Sequence, residues 1–217
     1  MMQTLDGRIA LARGRPITDK GWQSIINPGG VFLYKKVRKL IDPDAVLEGS
    51  GNILSSFQHS SESLPPVEGD KTLLYSDFIV PEILQRKGFK GWYVVVDSRG
   101  LIRWVNEEHE GWHLLVLVAR STPAQYLSFL RQKGIPYLIV GERRVELSRA
   151  LEVLYKKVGI KRIVSQGGGR LNGSLLRAGL VDEVDIIILP DIVGGRRTPA
   201  SFDAPELANG EDVVHLE

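Results

Sequence analysis

Residues 92–193 alternate between short apolar runs and segments with helical periodicity, and this alternation constrains the fold more than any other feature. Five runs are typical of buried strands, namely WYVVVDSRG (92–100), WHLLVLVAR (112–120), YLIVG (137–141), KRIVSQ (161–166) and VDIIILPDIV (184–193). Buried strands separated by helices are typical of a mostly parallel sheet covered on both faces. We therefore predict an α/β fold with three layers, αβα, and a mostly parallel central sheet.

Two of the intervening segments carry clear helix signals. In STPAQYLSFLRQKGIP (121–136), Thr122 is a candidate N-cap and Pro123 suits the first helical position. ELSRALEVLYKKVG (146–159) places its apolar residues on one helical face, with Ser148 as a candidate cap. Both segments are therefore predicted to be helices that cover the sheet.

The first half of the chain has weaker patterns. YKKVRKLI (34–41) indicates a helix, and DAVLEGSG (44–51) indicates a strand that ends in a glycine loop. The segment 55–72 is rich in serine, proline and glycine, which is typical of an exposed connection. No shift in composition marks a boundary, so residues 1–217 are predicted to form a single domain.

Composition excludes several classes of function. The chain has no cysteine, which rules out disulfides, cysteine nucleophiles and thiolate metal sites and fits a reducing cytoplasm. No apolar run approaches the roughly 18 residues of a membrane span, and no signal-peptide pattern follows the first methionines. The formal charge is only +2, and the basic clusters lack interleaved aromatic residues. We expect a cytoplasmic protein that binds neither membranes nor nucleic acid.

The sequence HEGWH (109–113) matches the zinc-protease pattern H-E-x-x-H, which requires both histidines on one face of a helix. Gly111 and the strand-like residues that follow argue against a helix here. In an extended chain the two histidines would lie about 13 Å apart, too far to share one ion. We therefore predict no metal site.

A glycine triplet, Gly167–Gly169, stands between a predicted strand and a predicted helix. At such a junction unpaired backbone amides and the helix dipole favour an anion, and the missing side chains let a diphosphate approach closely. Asn172 or Ser174 could add a side-chain hydrogen bond. The glycines alone are equally consistent with a turn that only permits tight packing of strand and helix.

The triplet does not match the common nucleotide-binding fingerprints. It lacks the spacing of the dinucleotide motif G-x-G-x-x-G, and no Gly-Lys-Ser/Thr follows as in a Walker A loop. The pattern by itself therefore predicts a phosphate-bearing ligand of unspecified kind.

Several motifs together resemble the reductase domain of the riboflavin biosynthesis pathway. The strongest match is GGGRLNGSLLRAGLVDEVDIIILPDIVGG (167–195) with RRTPASFD (196–203). TLDGRIA (4–10), DAVLEGSGNILSS (44–56) and VVVDSRG (94–100) precede it in the family's order. The resemblance implies a dihydrofolate-reductase-like fold, a homodimer, and the use of NADPH to reduce a small phosphorylated heterocycle, a phosphoribosylamino-pyrimidine, to its ribityl form.

The resemblance also implies roles for particular residues. The residues implied to hold the cofactor's phosphates are Gly167, Gly168, Gly169, Arg170, Leu171, Asn172, Gly173 and Ser174. Ser98 and Arg99 would lie near the adenosine 2′-phosphate, where a guanidinium suits a dianion. The loop with Asn52 and Ser56 would meet the nicotinamide side.

The substrate side of the resemblance has fewer candidates. Gln166 would contact the substrate, and Arg38 would bind its phosphate. Asp6 lies near the expected reaction site, as a proton donor or, the favoured interpretation, as a turn residue in LDG. No general acid is assigned with any support from the sequence, and the preference for NADPH over NADH stays open.

The chain departs from the family pattern in two carboxylates. Asn52 and Ser56 stand where the family usually has threonine and aspartate, and Gln166 stands where it usually has glutamate. These changes leave the cofactor interpretation intact and weaken the substrate interpretation. Two alternatives therefore stay open, a reductase of the same fold that acts on a pterin or another small C=N or C=O compound, and a non-catalytic nucleotide-binding protein.

Overall fold

The structure is a computed structural model that describes residues 1–12, 15–16, 28–54, 63–64, 66–67, 70–80, 82–83, 88–109, 111–207 and 213–215. The chain divides into two compact units. The terminal unit consists of Met1–Asp42 and Gln166–Glu217, and the central unit consists of Pro43–Ser165. The single-domain organisation stays a prediction.

The elements of the described residues are short. The strands are β1 (Met2–Thr4), β2 (Ala10–Ala12), β3 (Arg15–Pro16), β4 (Ala45–Gly49), β5 (Trp92–Val96), β6 (Glu108–His109), β7 (Trp112–Val118), β8 (Tyr137–Ile139), β9 (Ile163–Ser165) and β10 (Ile187–Leu189). The helices are α1 (Pro28–Ile41), α2 (Ser50–Leu54), α3 (Ala124–Gln132), α4 (Leu147–Val153) and α5 (Gly169–Arg177). A 3-10 helix covers Thr72–Tyr75, and a π-helical turn covers Leu154–Val158.

The central unit is built on a mostly parallel sheet. Its strand order is β6-β7-β5-β4-β9, and β8 pairs with the end of β7. All neighbouring pairs are parallel except β6 with β7. The sequence-based prediction of an α/β fold with a mostly parallel sheet is therefore confirmed.

The core of the central unit explains why its middle strands, β5 and β7, are apolar at every position except His113. Side chains on both faces of β5 and β7 are buried, as expected for inner strands of a parallel sheet. Tyr126, Leu127 and Leu130 of α3 are completely buried in this core. Their spacing of one, three and four residues places them on one helical face. The helix therefore covers the sheet, as its periodicity predicts.

The terminal unit has two small sheets. β1 and β10 pair in parallel over Met2–Thr4 and Ile187–Leu189, and β2 pairs with β3 in the antiparallel sense. In β10 the outer two residues are buried and Ile188 is exposed, which is the alternation of a strand with one covered face. α1 packs near β10, and α5 follows the glycine triplet.

Both predicted helix caps are wrong. The N-cap of α3 is Pro123, and the Thr122 hydroxyl instead accepts from the Ala119 amide at 3.0 Å and donates to the Ser98 carbonyl oxygen at 2.8 Å. Thr122 therefore joins two loops rather than capping the helix. The N-cap of α4 is Glu146, which makes no side-chain capping bond, and Ser148 lies inside the helix.

The described residues on either side of position 110 in HEGWH pair as antiparallel strands. His109 in β6 pairs with Trp112 in β7, and Gly111 has a φ of 81° in the turn. The expectation that the segment is not helical is confirmed, although it turns back rather than entering one continuous strand. The His113 ring instead packs near Phe89, and its Nε2 lies 3.0 Å from a Glu108 carboxylate oxygen.

Candidate functional site

The glycine triplet opens helix α5 of the terminal unit. Gly168 is the N-cap with an extended backbone, and its carbonyl oxygen accepts from the amides of Leu171 at 3.0 Å and Asn172 at 3.1 Å. The amides of Gly169 and Arg170 donate to no acceptor among the residues that the structure describes. A first helical turn has no preceding carbonyls to receive these amides, so they are left for an anion.

Two glycines of this segment are also needed for packing. A Cβ on Gly169 would lie 2.1 Å from the carbonyl oxygen of Ala200, and one on Gly173 would lie 2.8 Å from that of Asp203. The segment 200–204 therefore lies directly against one side of α5. Asp203 also places a carboxylate oxygen 2.9 Å from the Gly169 Cβ position. The packing interpretation thus accounts for Gly169 and Gly173, while the two open amides fit the anion interpretation.

The side chains of α5 that could have added hydrogen bonds have partners within the protein. Asn172 is buried, and its Nδ2 donates to the Gly167 carbonyl oxygen at 2.9 Å. The Ser174 hydroxyl donates to the carbonyl oxygen of Arg170 at 2.8 Å. Since phosphate oxygens require donors, this geometry gives both residues a structural role. Arg170 is exposed, and Leu171 packs on Gly167.

Asp6 is held as a carboxylate by the loop after β10. Its oxygens accept from the Thr4 hydroxyl at 2.5 Å and from the amides of Gly194 at 2.7 Å and Val193 at 3.3 Å. The Thr4 hydroxyl and these amides lower the pKa of Asp6 to about 2. An aspartate with this pKa is ionised at neutral pH and holds no proton to donate, which agrees with a turn residue.

The other two candidates for substrate contacts also belong to the terminal unit. Gln166 is partly buried and directly precedes the triplet. Arg38 is partly buried in the last turn of α1, and its carbonyl oxygen accepts from the Asp42 amide at 3.3 Å. Their substrate roles stay predictions.

The central unit brings Asn52, Ser98 and Arg99 to one edge of its sheet. Gly49 at the end of β4 is in register with Val96 at the end of β5, and the two strands are parallel. Asn52 follows β4 in α2, and Ser98 and Arg99 follow β5. Ligands of parallel α/β sheets bind outside the carboxyl ends of the strands. Ser56 lies outside the described residues.

Ser98 is fixed on both of its oxygens. Its side-chain oxygen accepts from the amide of Val145 at 3.0 Å, and its carbonyl oxygen accepts from the Thr122 hydroxyl at 2.8 Å. Ser98 is partly buried and Arg99 is exposed. The Ser98 hydroxyl still has its proton to donate, and none of the described residues accepts it.

Asp97, which the sequence motifs did not indicate, stabilises the loop after β5 through hydrogen bonds to its backbone. It is fully buried, and its Oδ2 accepts from the amides of Leu101 at 2.8 Å and Ile102 at 3.0 Å. Burial raises the pKa of Asp97, although these amides and the neighbouring Tyr126 hydroxyl act in the opposite direction. An acidic residue at the end of a fully apolar strand was the sequence signal for this role.

Metal ligation and membrane insertion have no structural support in the described part of the chain. Over those residues no group of three His, Asp or Glu side chains is arranged to hold a metal ion. Along the same ranges no helix combines the length and apolar character needed to cross a bilayer.

Curated relatives with similar sequences carry the name 2,5-diamino-6-ribosylamino-4(3H)-pyrimidinone 5′-phosphate reductase. The chain is 37% identical to the one from Methanothermobacter thermautotrophicus over 128 residues, which cover 57% of each protein. It is 38% identical to the one from Archaeoglobus fulgidus over 125 residues, which cover 56% of this chain and 52% of that protein. The chain thus spans about half the length of the curated relatives it matches.

Solved structures show the same fold at low sequence identity. RibD of Acinetobacter baumannii matches with a TM-score of 0.61 and 19% identity, over 97% of this chain and 49% of that one. The riboflavin biosynthesis reductase Rib7 of Saccharomyces cerevisiae matches with a TM-score of 0.57 and 16% identity, over 96% and 78%. These likenesses confirm the dihydrofolate-reductase-like fold that the sequence motifs predict.

The family match covers residues 1–217, from the motif around Asp6 through the glycine triplet to the end of the chain. It includes all the segments on which the sequence resemblance was based. The chain belongs to the family of the RibD C-terminal domain.

Proposed function

We propose that this protein is an NADPH-dependent reductase that converts a phosphoribosylamino-pyrimidine to its ribityl form in riboflavin biosynthesis. Membership of the RibD C-terminal family and the names of the curated relatives support the reductase activity. The observation that carries the proposal is the pair of open amides, on Gly169 and Arg170, at the start of α5. Diphosphate oxygens are acceptors that such amides bind.

The residues at the glycine triplet fit a dinucleotide diphosphate. The Cβ positions of Gly167 and Gly169 are filled by Leu171 and by Ala200 with Asp203, so the triplet would bind a diphosphate through its backbone amides. The hydrogen bond from Asn172 to the Gly167 carbonyl oxygen fixes the backbone that leads into α5. The exposed guanidinium of Arg170 supplies positive charge on the same turn.

The chemistry requires little from the side chains. When bound, NADPH supplies a hydride to the carbon of the C=N bond in the ring-opened substrate, and the nitrogen takes a proton from solvent. The protein's contribution is to bind and orient the reactants. Because Asp6 is ionised, we assign it to the structure of its loop and to substrate contact rather than to proton donation.

The substrate part of the proposal depends on Arg38 and Gln166. The guanidinium of Arg38 suits the substrate's phosphate. Gln166 offers an amide where a carboxylate would be the better acceptor for the amino groups of a diaminopyrimidine. We therefore expect turnover of the pyrimidine at a lower efficiency than a glutamate at this position would give.

Turnover with the purified chain tests the proposal. NADPH and the phosphoribosylamino-pyrimidine are mixed with the protein, the nicotinamide absorbance is followed, and the product is identified by mass spectrometry. Loss of the absorbance together with a product heavier by two hydrogen atoms is the expected result. NADPH oxidation only with pterins or other C=N or C=O compounds would replace the substrate, and nucleotide binding without oxidation would indicate a non-catalytic binding protein.

A further inference from the structure

Three loops of the central unit meet at the carboxyl edge of its sheet. β5, β7 and β8 are parallel, and Val96 is in register with Leu117 and Val118 with Ile139 at their ends. The loops that follow these strands therefore begin side by side. We call residues 141–145 the β8 loop.

Hydrogen bonds connect the β8 loop to the other two. The amides of Arg120 and Ser121, after β7, donate to the carbonyl oxygens of Gly141 and Glu142, each at 2.9 Å. The Ser121 hydroxyl donates to the carbonyl oxygen of Arg143 at 3.1 Å. At the far end of the β8 loop, the backbone N–H of Val145 donates a hydrogen bond to the side-chain oxygen of Ser98. This bond connects the β8 loop to the loop after β5.

The shape of the β8 loop depends on a glycine. Gly141 has a φ of 90°, and a Cβ at this position would lie 2.2 Å from the carbonyl oxygen of Arg144. Only glycine tolerates both the positive φ and this close approach. The loop is thus folded back on itself, with Arg143 and Arg144 exposed at its tip.

The chemistry at this edge suits an anion that only accepts hydrogen bonds. Ser98 keeps one hydroxyl proton to donate, because its oxygen already accepts from Val145. Arg99, Arg143 and Arg144 are exposed. Arg120 is engaged elsewhere, since its Nη1 donates to the Tyr75 carbonyl oxygen at 3.3 Å. A guanidinium binds a phosphate through paired N–H groups, whereas a single hydroxyl cannot balance a dianion.

Acidic residues near the same edge reduce its attraction for an anion. Glu142 and Glu146 are exposed on either side of the two loop arginines in the chain, and the buried Asp97 stands two residues before Arg99. The amides of Leu101 and Ile102 partly compensate Asp97. Arg99 alone would therefore face the charges of its neighbours, and the loop arginines are needed to make the edge attractive to a dianion.

We propose that the β8 loop, through Arg143 and Arg144, determines the binding of a phosphate monoester next to Ser98 and Arg99. Two sources of this group exist, the 2′-phosphate of NADPH and the 5′-phosphate of the substrate, and this choice rests on the proposed function. The resemblance to the reductase family favours the 2′-phosphate. The loop arginines would then be the residues that separate NADPH from NADH.

Calorimetric titration of the whole chain with simple phosphates tests the proposal without requiring turnover. The probes are adenosine 2′,5′-bisphosphate against adenosine 5′-monophosphate, and ribose 5-phosphate against ribose. We expect Arg143→Ala/Arg144→Ala to weaken the binding of either adenosine 2′,5′-bisphosphate or ribose 5-phosphate about tenfold or more. Binding of the matched probe, which lacks that phosphate, should hardly change. The phosphate whose binding is weakened identifies whether the site takes the 2′-phosphate of NADPH or the 5′-phosphate of the substrate. Arg143→Lys/Arg144→Lys should retain part of the affinity because the charge stays.

The matched control is Arg149→Ala/Lys161→Ala, which removes two exposed charges of the central unit outside the β8 loop. It should bind all probes as the wild type does, and thermal unfolding should confirm that all three double variants are folded. Unchanged affinity of the loop variant for every phosphorylated probe would overturn the proposal, as would a wild type that binds none of them. These titrations do not involve hydride transfer. Failure of this proposal can therefore be distinguished from failure of the proposed reductase activity, which the turnover assay measures.

Discussion

The amide of Asp203 donates a 2.9 Å hydrogen bond to the carbonyl oxygen of Gly169, the first residue of α5. The same glycine lies so close to the segment 200–204 that no side chain fits on that side. The amide of Gly169 nevertheless donates to no acceptor within the described residues. One residue thus serves the packing through its carbonyl group and its missing Cβ, and its N–H is the group that the proposed cofactor would use.

Substitution of these glycines should destabilise the protein. Gly169→Ala and Gly173→Ala each place a Cβ against backbone atoms that cannot move independently of the segment 200–204. We expect a loss of about 1–3 kcal/mol in the free energy of unfolding, measured by urea titration. Gly51→Ala is the matched control, because a Cβ there meets nothing within 4 Å and the residue is helical. Equal stability of all three variants would contradict the packing.

Asp97 should make stability fall as the pH rises above its ordinary titration range. Its folded pKa is raised, so between the unfolded and folded values the folded state holds more protons. Raising the pH through this window therefore favours unfolding. Asp97→Asn has no proton to lose, and we expect its unfolding free energy to increase relative to wild type from about pH 4 upward. Parallel pH profiles of the two proteins would show that burial does not perturb Asp97.

Asp6 should act in the opposite direction. Its pKa is lowered to about 2 from an ordinary value of 3.8, so its contribution is complete above pH 3.8 and is lost as the pH falls toward 2. Wild type should therefore lose stability relative to Asp6→Asn over this acid range. Asp182→Asn, at an exposed position, is the control. A difference between wild type and Asp6→Asn that does not change with pH would refute the hydrogen-bonded carboxylate.

Gln166→Glu restores the carboxylate that the family usually carries before the glycines. If the substrate is a diaminopyrimidine, a charged acceptor should improve binding of its amino groups, and we expect kcat/KM to rise about tenfold. Gln132→Glu, at an exposed position on α3, adds the same charge and should have no effect. A gain with both variants would point to overall charge, and a loss with Gln166→Glu would indicate a different substrate.

Much of the central unit could be predicted because its signals are local. The apolar runs of β5 and of Leu114–Val118 in β7, and the single apolar face of α3, reflect burial on a parallel sheet. The prediction of Thr122 as a helix cap was wrong because its hydroxyl donates a hydrogen bond to the carbonyl oxygen of Ser98 in another loop. Such bonds between residues far apart in sequence leave no local pattern.

The candidate site was only partly predictable. The sequence shows the triplet Gly167–Gly169 as a pattern. It does not show that Gly169 packs against the segment 200–204, or that the amides of Gly169 and Arg170 have no acceptor among the described residues, because both facts depend on the three-dimensional structure. The side chains of Asn172 and Ser174, which could add hydrogen bonds to a ligand, donate to carbonyl oxygens of the protein in this structure, and their cofactor role stays a prediction. The β8 loop could not be predicted as part of a phosphate site, because this depends on which strands of the sheet end next to one another.

The most direct test of the central claim is an amide NMR titration of the isotope-labelled chain with NADPH. We predict that the resonances of Gly169 and Arg170 shift strongly and saturably as the dinucleotide is added, because their N–H groups acquire acceptors. Saturable shifts elsewhere with these two amides unmoved, or no shifts at all, would contradict the account.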